Sequence, residues 1–242
     1  AADARRAIGQ CPTMLGAETI RDRRGRLDRR AGGKRTEELN AAIEQRQVEI
    51  LFQPQFASED GRLIGAEALS RWNHPRLGRI GAEALFDVAE RCGRAAELTS
   101  HIVIRALAVA AHWPSALRLS LNVAPADLAD DNFASTVLAA LTVADFDPRR
   151  LTLEITEQAL VSELDRSGVQ LERLARRGIR IALDDFGAGF CNFRYLKRLP
   201  LHVLKLDRSM IEGIADDERA FALLRGIVAM ASALSQRVVA DG

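Results

Sequence analysis

Acidic side chains recur where short apolar runs of this 242-residue chain end. Glu67 lies in LIGAEALSRW (Leu63–Trp72), and Asn122 is the last polar residue of LRLSLNV (Leu117–Val123). Glu154 interrupts LTLEIT (Leu151–Thr156), with Glu157 just beyond it, and Asp184 and Asp185 close IRIALDD (Ile179–Asp185). Lys205 and Asp207 fall in HVLKLD (His202–Asp207), and Asp241 follows RVVA (Arg237–Ala240). A charge in an apolar strand is costly unless it is paired, and several carboxylates at one place repel each other. Divalent cations resolve both problems. Carboxylates with an Asn carbonyl are hard oxygen donors, which favour Mg²⁺ or Mn²⁺ over zinc. Adjacent Asp184 and Asp185 can serve two ions, a standard device for phosphodiester hydrolysis. Lys205 adds positive charge for a developing transition state or orients the water. The glycines of DFGAGF, Gly187 and Gly189, let backbone approach a ligand closely. His74, His101, His112 and His202 lack the spacing of a helical zinc site and read as surface or core residues. Taken singly, each strand-end carboxylate reads equally well as a helix cap or an arginine partner. Their recurrence at successive strand ends is what favours a common site.

The elements that must position these groups alternate. Glu49–Phe56 and Leu63–Trp72 read as strands joined by the turn SEDGR, a connection short enough to favour an antiparallel pair. NHPRLGRIG reads as a loop. Helical patterns follow at 82–91 and 98–113, the second with Leu98, Ile102, Ala106, Val109 and Trp113 on one stripe. Strands at 117–123, 151–156, 179–185, 202–207 and 237–240 then alternate with helices at 130–141, 163–177 and 218–235. In the last of these helices Phe221, Leu224, Val228 and Ala231 are expected to face inward. Strand–helix repetition means a parallel sheet covered by helices. Seven strands with intervening helices predict an α/β, TIM-like (β/α)8 barrel whose first two strands are antiparallel. The chain stops after the seventh strand, so the expectation is a barrel truncated there. A doubly wound open sheet is the alternative, although no Gly-rich dinucleotide fingerprint follows an early strand.

Residues 1–35 differ from the remainder. RDRRGRLDRRAGGKR has no apolar period and reads as a linker or the end of a preceding module, or else as a basic arm for an anionic partner. The barrel domain is expected over residues 36–242, with Thr36 capping a short helix whose apolar positions are Leu39, Ala42 and Ile43. A formal net charge of +1 gives no bulk electrostatic case for a DNA or RNA polymer. The three cysteines, Cys11, Cys92 and Cys191, are too few and too far apart for a disulfide framework and point to a reducing, cytoplasmic compartment. No apolar run reaches the ~18–20 residues of a membrane span.

The motifs taken together resemble the EAL-type cyclic di-GMP phosphodiesterase family. EALSRW (Glu67–Trp72), QPQ (Gln53–Gln55), LNV around Asn122, LEITE (Leu153–Glu157), LDDFGAGF (Leu183–Phe190), LKLDRSM (Leu204–Met210) and VVADG (Val238–Gly242) follow the family's order and spacing. A lone EAL is uninformative, since it recurs at Glu83–Leu85. The resemblance implies Mg²⁺- or Mn²⁺-dependent hydrolysis of cyclic di-GMP to linear pGpG, with two ions. By motif position Glu67, Asn122, Glu154 and Asp184 would be metal ligands and Asp185 would serve the second ion. Lys205 would orient the water and Asp241 would be the general base. Gln53, Leu69, Arg71 and Asp207 would line the dinucleotide, with Arg71 on a phosphate, and Glu157 would be a further helper. The family's base is Glu, one methylene longer than Asp241. Ala188, Phe190, Cys191 and Asn192 also depart from the commoner loop residues. Cys191 reads either as redox-sensitive or as a plain thiol. The family further implies a homodimer. A catalytically weak cyclic di-GMP sensor is the alternative, and an unrelated metal-dependent barrel enzyme acting on an enolisable substrate is a third reading.

Overall fold

The computed structural model describes residues 32–45, 47–160, 164–188, 193–214 and 217–240. The elements are α1 (Gly32–Glu44), β1 (Val48–Phe56), β2 (Leu63–His74), β3 (Gly78–Ile80), α2 (Ala82–Arg91), α3 (Ala95–Ala110), β4 (Arg118–Asn122), α4 (Pro125–Ala129) and α5 (Phe133–Val143). Then follow β5 (Leu151–Thr156), α6 (Glu157–Leu160), α7 (Leu164–Ala175), β6 (Arg180–Phe186), α8 (Phe193–Arg198), β7 (Val203–Leu206), α9 (Glu218–Ala233) and β8 (Arg237–Ala240). The described residues form two compact units: those within 32–121 with 135–150, and those within 122–134 with 151–240.

In the first unit β1 and β2 pair antiparallel, with Gln53 opposite Glu67 and Glu49 opposite Arg71. The expected loop after Trp72 instead folds back as β3, pairing Trp72 with Ile80 and His74 with Gly78. His74 explains this correction. It is buried, and its Nδ1 accepts hydrogen bonds from the Arg76 and Leu77 amides at 3.1 and 3.2 Å, which closes the turn. β4 runs parallel to β2, with Glu67 beside Ser120. Helix α3 presents Leu98, Ile102 and Ala106 as expected, but the buried stripe continues through Val103, Leu107 and Ala110. Trp113, beyond the helix end, packs edge-on against Phe52 at 5.1 Å. Arg150 ties the unit together: its guanidinium donates to the Leu117, Ala110 and Pro114 carbonyls at 2.8, 3.3 and 3.2 Å and lies over the Phe146 ring. Carbonyls left unsatisfied at the end of α3 thereby find a cationic donor. Helix α1 begins at Gly32, so Thr36 lies within it and is not its cap; Leu39 and Ala42 are buried.

The second unit contains β5, β6, β7 and β8; β6, β7 and β8 each run parallel to the strand before them and are reached by helical crossovers. Adding every new strand on the same side, with no reversal of order, is the TIM-like α/β pattern and not the doubly wound one. Helix α5 starts at Phe133, three residues later than expected, because Pro125 opens the separate short helix α4 first. Asp217 caps α9 by accepting from the Arg219 and Ala220 amides. The inward face of α9 carries Ile227 and Ala231, whereas Phe221 and Val228 are exposed, contrary to expectation. Its sequence is apolar on several faces, so periodicity alone left the rotation of the helix ambiguous.

Two glycines give substitutions of opposite sign. A β-carbon on Gly65 of β2 would lie 2.5 Å from the Arg118 carbonyl oxygen of β4, whereas one on Gly226 of α9 would meet nothing within 4 Å. Gly65→Ala is expected to cost about 1–3 kcal/mol by overpacking. Gly226→Ala is expected to add about 0.5–1 kcal/mol by reducing unfolded-chain entropy. Urea unfolding midpoints measure both.

A pH dependence follows from two histidines. Partial desolvation, and then the charge of Arg105, holds the half-buried His101 below the ordinary histidine range; partial desolvation and then Arg180 do the same for His202, which is exposed, against an opposing backbone hydrogen bond at Pro200. His202 Nδ1 also accepts from the Ile181 amide at 3.2 Å, which requires an unprotonated nitrogen. As pH falls, the unfolded chain takes up these protons first. Their contribution is therefore complete above pH ~6.5 and is lost as pH falls through the lower native values. The fall in urea midpoint from pH 7 to pH 5 is expected to be shallower in a His101→Gln/His202→Gln double variant than in the parent.

Candidate functional site

Strand alternation in the second unit sends Glu154 of β5, Asp184 of β6 and Lys205 of β7 to the same face. All three are buried, at 2%, 8% and 2% exposure. Lys205 Nζ donates to Glu154 Oε2 at 2.6 Å and to Asp184 Oδ2 at 2.9 Å. Both contacts are charge-assisted and secluded from water, where ion pairing is strong and an unpaired charge very costly. Two carboxylates against one ammonium leave this trio with a formal charge of −1.

Backbone details set the aim of these groups. Between Leu183 and Phe186, β6 carries one more residue than β7 does between Leu204 and Leu206, a bulge at the Asp184–Asp185 pair. Asp185 adopts φ +53°, a left-handed conformation in which Asp is better tolerated than most residues. Its amide donates to Asp184 Oδ1 at 2.9 Å. The bulge leaves Asp184 buried and its neighbour exposed, so the two adjacent acids differ in environment. Asn122 ends β4, and the next amide, of Val123, donates to the Glu154 carbonyl at 2.9 Å. Asp127, buried in α4, accepts from the Ala124 amide at 2.9 Å and fixes the turn after Asn122. Sequence reasoning missed Asp127; an acid three residues after Ala124, with Pro125 between, carries its helix-start signal. Asp207 accepts from the Ser209 amide at 2.9 Å and from the Ser209 hydroxyl. Those bonds hold its carboxyl below the usual carboxylate range, hydroxyl first.

In the first unit, Gln53, Glu67, Leu69 and Arg71 share one face of the β1–β2 ladder, since Gln53 opposes Glu67, Leu51 opposes Leu69 and Glu49 opposes Arg71. Arg71 Nη1 donates to the Ser70 carbonyl at 2.8 Å. Glu49 accepts from Arg79 at 2.9 Å and from Asn73 at 3.3 Å. The strands thus bring the four expected residues into one row. Asp241 and the loop residues Phe190, Cys191 and Asn192 lie outside the described residues.

The donor set fits a hard divalent cation. Glu154 and Asp184 offer carboxylate oxygens that converge on one point, and that point holds the Lys205 ammonium. A cation is therefore what this pair is built to face. Among the described residues no three His, Cys, Asp or Glu side chains are grouped closely enough to hold an ion by themselves. An ion here would share these oxygens with Lys205 and draw further donors from amide oxygen or water, as Mg²⁺ commonly does.

The EAL domain family model matches residues 36–242. The chain belongs to the EAL domain family. It is 36% identical over 212 residues to the cyclic di-GMP phosphodiesterase NbdA of Pseudomonas aeruginosa, covering 85% of this chain and 27% of that protein. The bifunctional diguanylate cyclase/cyclic di-GMP phosphodiesterase MucR of the same organism is 33% identical over 209 residues, 85% of this chain and 30% of that one. A solved structure of the PaMucR phosphodiesterase in complex with c-di-GMP superposes with a TM-score of 0.78 at 32% identity, covering 86% of each chain. This EAL chain spans only about 27–30% of the length of these two curated relatives. Among its described residues no helix is long and apolar enough to cross a membrane.

Lys205→Met leaves two buried carboxylates facing one another. In metal-free buffer it is expected to destabilise the protein by about 3–5 kcal/mol, the cost of breaking a buried ion pair. Added Mn²⁺ is expected to raise the thermal midpoint of this variant more than that of the parent, because the ion takes over the neutralising charge. Thermal unfolding with and without Mn²⁺ measures both.

Proposed function

We propose that this EAL chain is a metal-dependent phosphodiesterase that hydrolyses cyclic di-GMP to linear pGpG. The observation that carries the proposal is the buried Glu154–Lys205–Asp184 trio on one strand face. Family membership, together with the names of NbdA and MucR, supplies the substrate class.

In this reading Glu67, Asn122, Glu154 and Asp184 are oxygen ligands for Mg²⁺ or Mn²⁺, with Asp185 serving a second ion. When bound, the ions supply Lewis acidity to a phosphoryl oxygen and lower the pKa of a water. Lys205 orients the attacking water with its ammonium protons and offsets negative charge that builds on the phosphoryl group. Asp241 accepts the proton of that water as its oxygen bonds to phosphorus. The bond from phosphorus to the ribose 3′ oxygen breaks, and that oxygen takes up a proton to give the linear dinucleotide. Arg71 pairs with a phosphate, for which a guanidinium is geometrically suited. Gln53, Leu69 and Asp207 line the dinucleotide. We place the reaction in the cytoplasm, where the substrate class and the sparse, widely spaced cysteines agree, and in a homodimer. Residues 1–35 we read as a linker or the end of a preceding module.

A sensor that binds the dinucleotide without cutting it is favoured by one observation, Asp241 standing where the family has Glu. A general base must reach its proton, and a shortfall of one methylene slows the step. Incubation with cyclic di-GMP and Mn²⁺, followed by chromatography of the products, tests both readings. The hydrolase reading expects pGpG, none of it in excess EDTA, and a drop of about 10²–10³-fold for Glu154→Gln, the scale on which single electrostatic groups act. Binding by calorimetry with no product at any Mn²⁺ concentration, unchanged in Asp241→Glu, would leave the sensor.

A further inference from the structure

The turn leaving β6 is held from outside by one side chain. Gly187 has φ +102°, and the Ala188 amide donates to the Asp185 carbonyl at 3.1 Å, which puts glycine at the third position of a tight turn. A β-carbon on Gly187 would clash with Sδ of Met210 and lie 2.6 Å from its Cγ. The thioether therefore occupies the place where any other residue would put its side chain. Met210 ends the short helical turn Arg208–Met210 that follows β7, a turn capped by Asp207. The Asp207 amide donates to the Phe186 carbonyl at 3.1 Å, and the Met210 amide to the Asp207 carbonyl at 3.0 Å. The segment after β7 thus grips the last residue of β6, Phe186, and the first residue after it, Gly187.

Immediately before that grip stands the Asp184–Asp185 bulge. Left-handed backbone at a non-glycine residue persists only where its surroundings over-determine it. Hydrogen bonds within the bulge and turn supply part of that constraint. Met210 supplies a packing contact from a different element.

We propose that Met210 is a positioning residue for the carboxylates of Asp184 and Asp185. It fills the gap above Gly187 so that the turn cannot relax and carry the acids out of place. Sequence alone gives no hint of this, because Met210 is only the apolar residue that ends LKLDRSM. The inference rests on the metal-binding reading of the site, and its test separates the two.

Met210→Ala and Met210→Leu are compared with the parent by hydrogen–deuterium exchange and by Mn²⁺ titration followed by electron paramagnetic resonance. In the alanine variant the amides of Phe186, Gly187 and Ala188 are expected to exchange at least tenfold faster, with those of β5 unchanged, and the Mn²⁺ dissociation constant is expected to rise about tenfold. Leucine, which nearly conserves volume, is expected to restore both to within about twofold. Unchanged exchange at the turn in the alanine variant, or losses in the leucine variant as large as those in alanine, would overturn the proposal. Should the parent bind no Mn²⁺, the metal reading falls, and the exchange data alone decide the role of Met210.

Discussion

A buried ammonium between two buried carboxylates is an expensive arrangement that folding tolerates only when the geometry is good. Lys205, Glu154 and Asp184 come from three consecutive strands, and none is more than 8% exposed. Apolar residues of similar size would fill the same space without the desolvation cost. The surrounding strands hold this trio instead, and their register leaves little freedom: moving β6 by one residue would turn Asp184 away from the Lys205 face. The geometry of the parallel strands and the electrostatics of the trio therefore constrain each other.

Positioning is then a matter of small local departures from regular structure. The bulge in β6 separates the environments of Asp184 and Asp185, which regular alternation would simply place on opposite faces. Gly187 lets the chain turn directly afterwards, and Met210 packs into the space its missing side chain leaves. At β4 the work is done by Asp127, whose carboxylate ties down the amide of Ala124. In the first unit the same logic appears as a ladder, where Gln53 and Glu67 stand opposite one another with Arg71 four residues along the strand. The bulge, the turn at Gly187 and the Asp127 tie lie at the carboxyl ends of parallel strands, where function is concentrated in α/β folds of this class.

Much of this was legible in the amino-acid order. β5 and β8 begin and end where their apolar runs do, and α2 spans the predicted residues. The chemical candidates were visible because acids and a lysine stand out against Leu, Ile and Val in strands such as LTLEIT and HVLKLD. What escaped detection depended on contacts between distant residues. The fold-back of β3 relies on a buried His74, which periodicity cannot register. The rotation of α9 was ambiguous because Phe221, Leu223, Leu224, Ile227 and Val228 are all apolar, and packing chose Ile227. The bulge at Asp184–Asp185 shows only when β6 and β7 are laid side by side. Its partner Met210 lies 23 residues beyond Gly187 in the chain, farther than any local pattern reaches.

The central question is whether Glu154 and Asp184, which face the Lys205 ammonium, hold a divalent ion when one is supplied. Anomalous diffraction from crystals grown with Mn²⁺ and cyclic di-GMP addresses this directly. The expected result is a manganese peak within about 2.0–2.3 Å of carboxylate oxygens of both Glu154 and Asp184, the range of hard-cation coordination. A fully occupied dinucleotide with no anomalous peak at either carboxylate, and Lys205 still bonded to both, would contradict it.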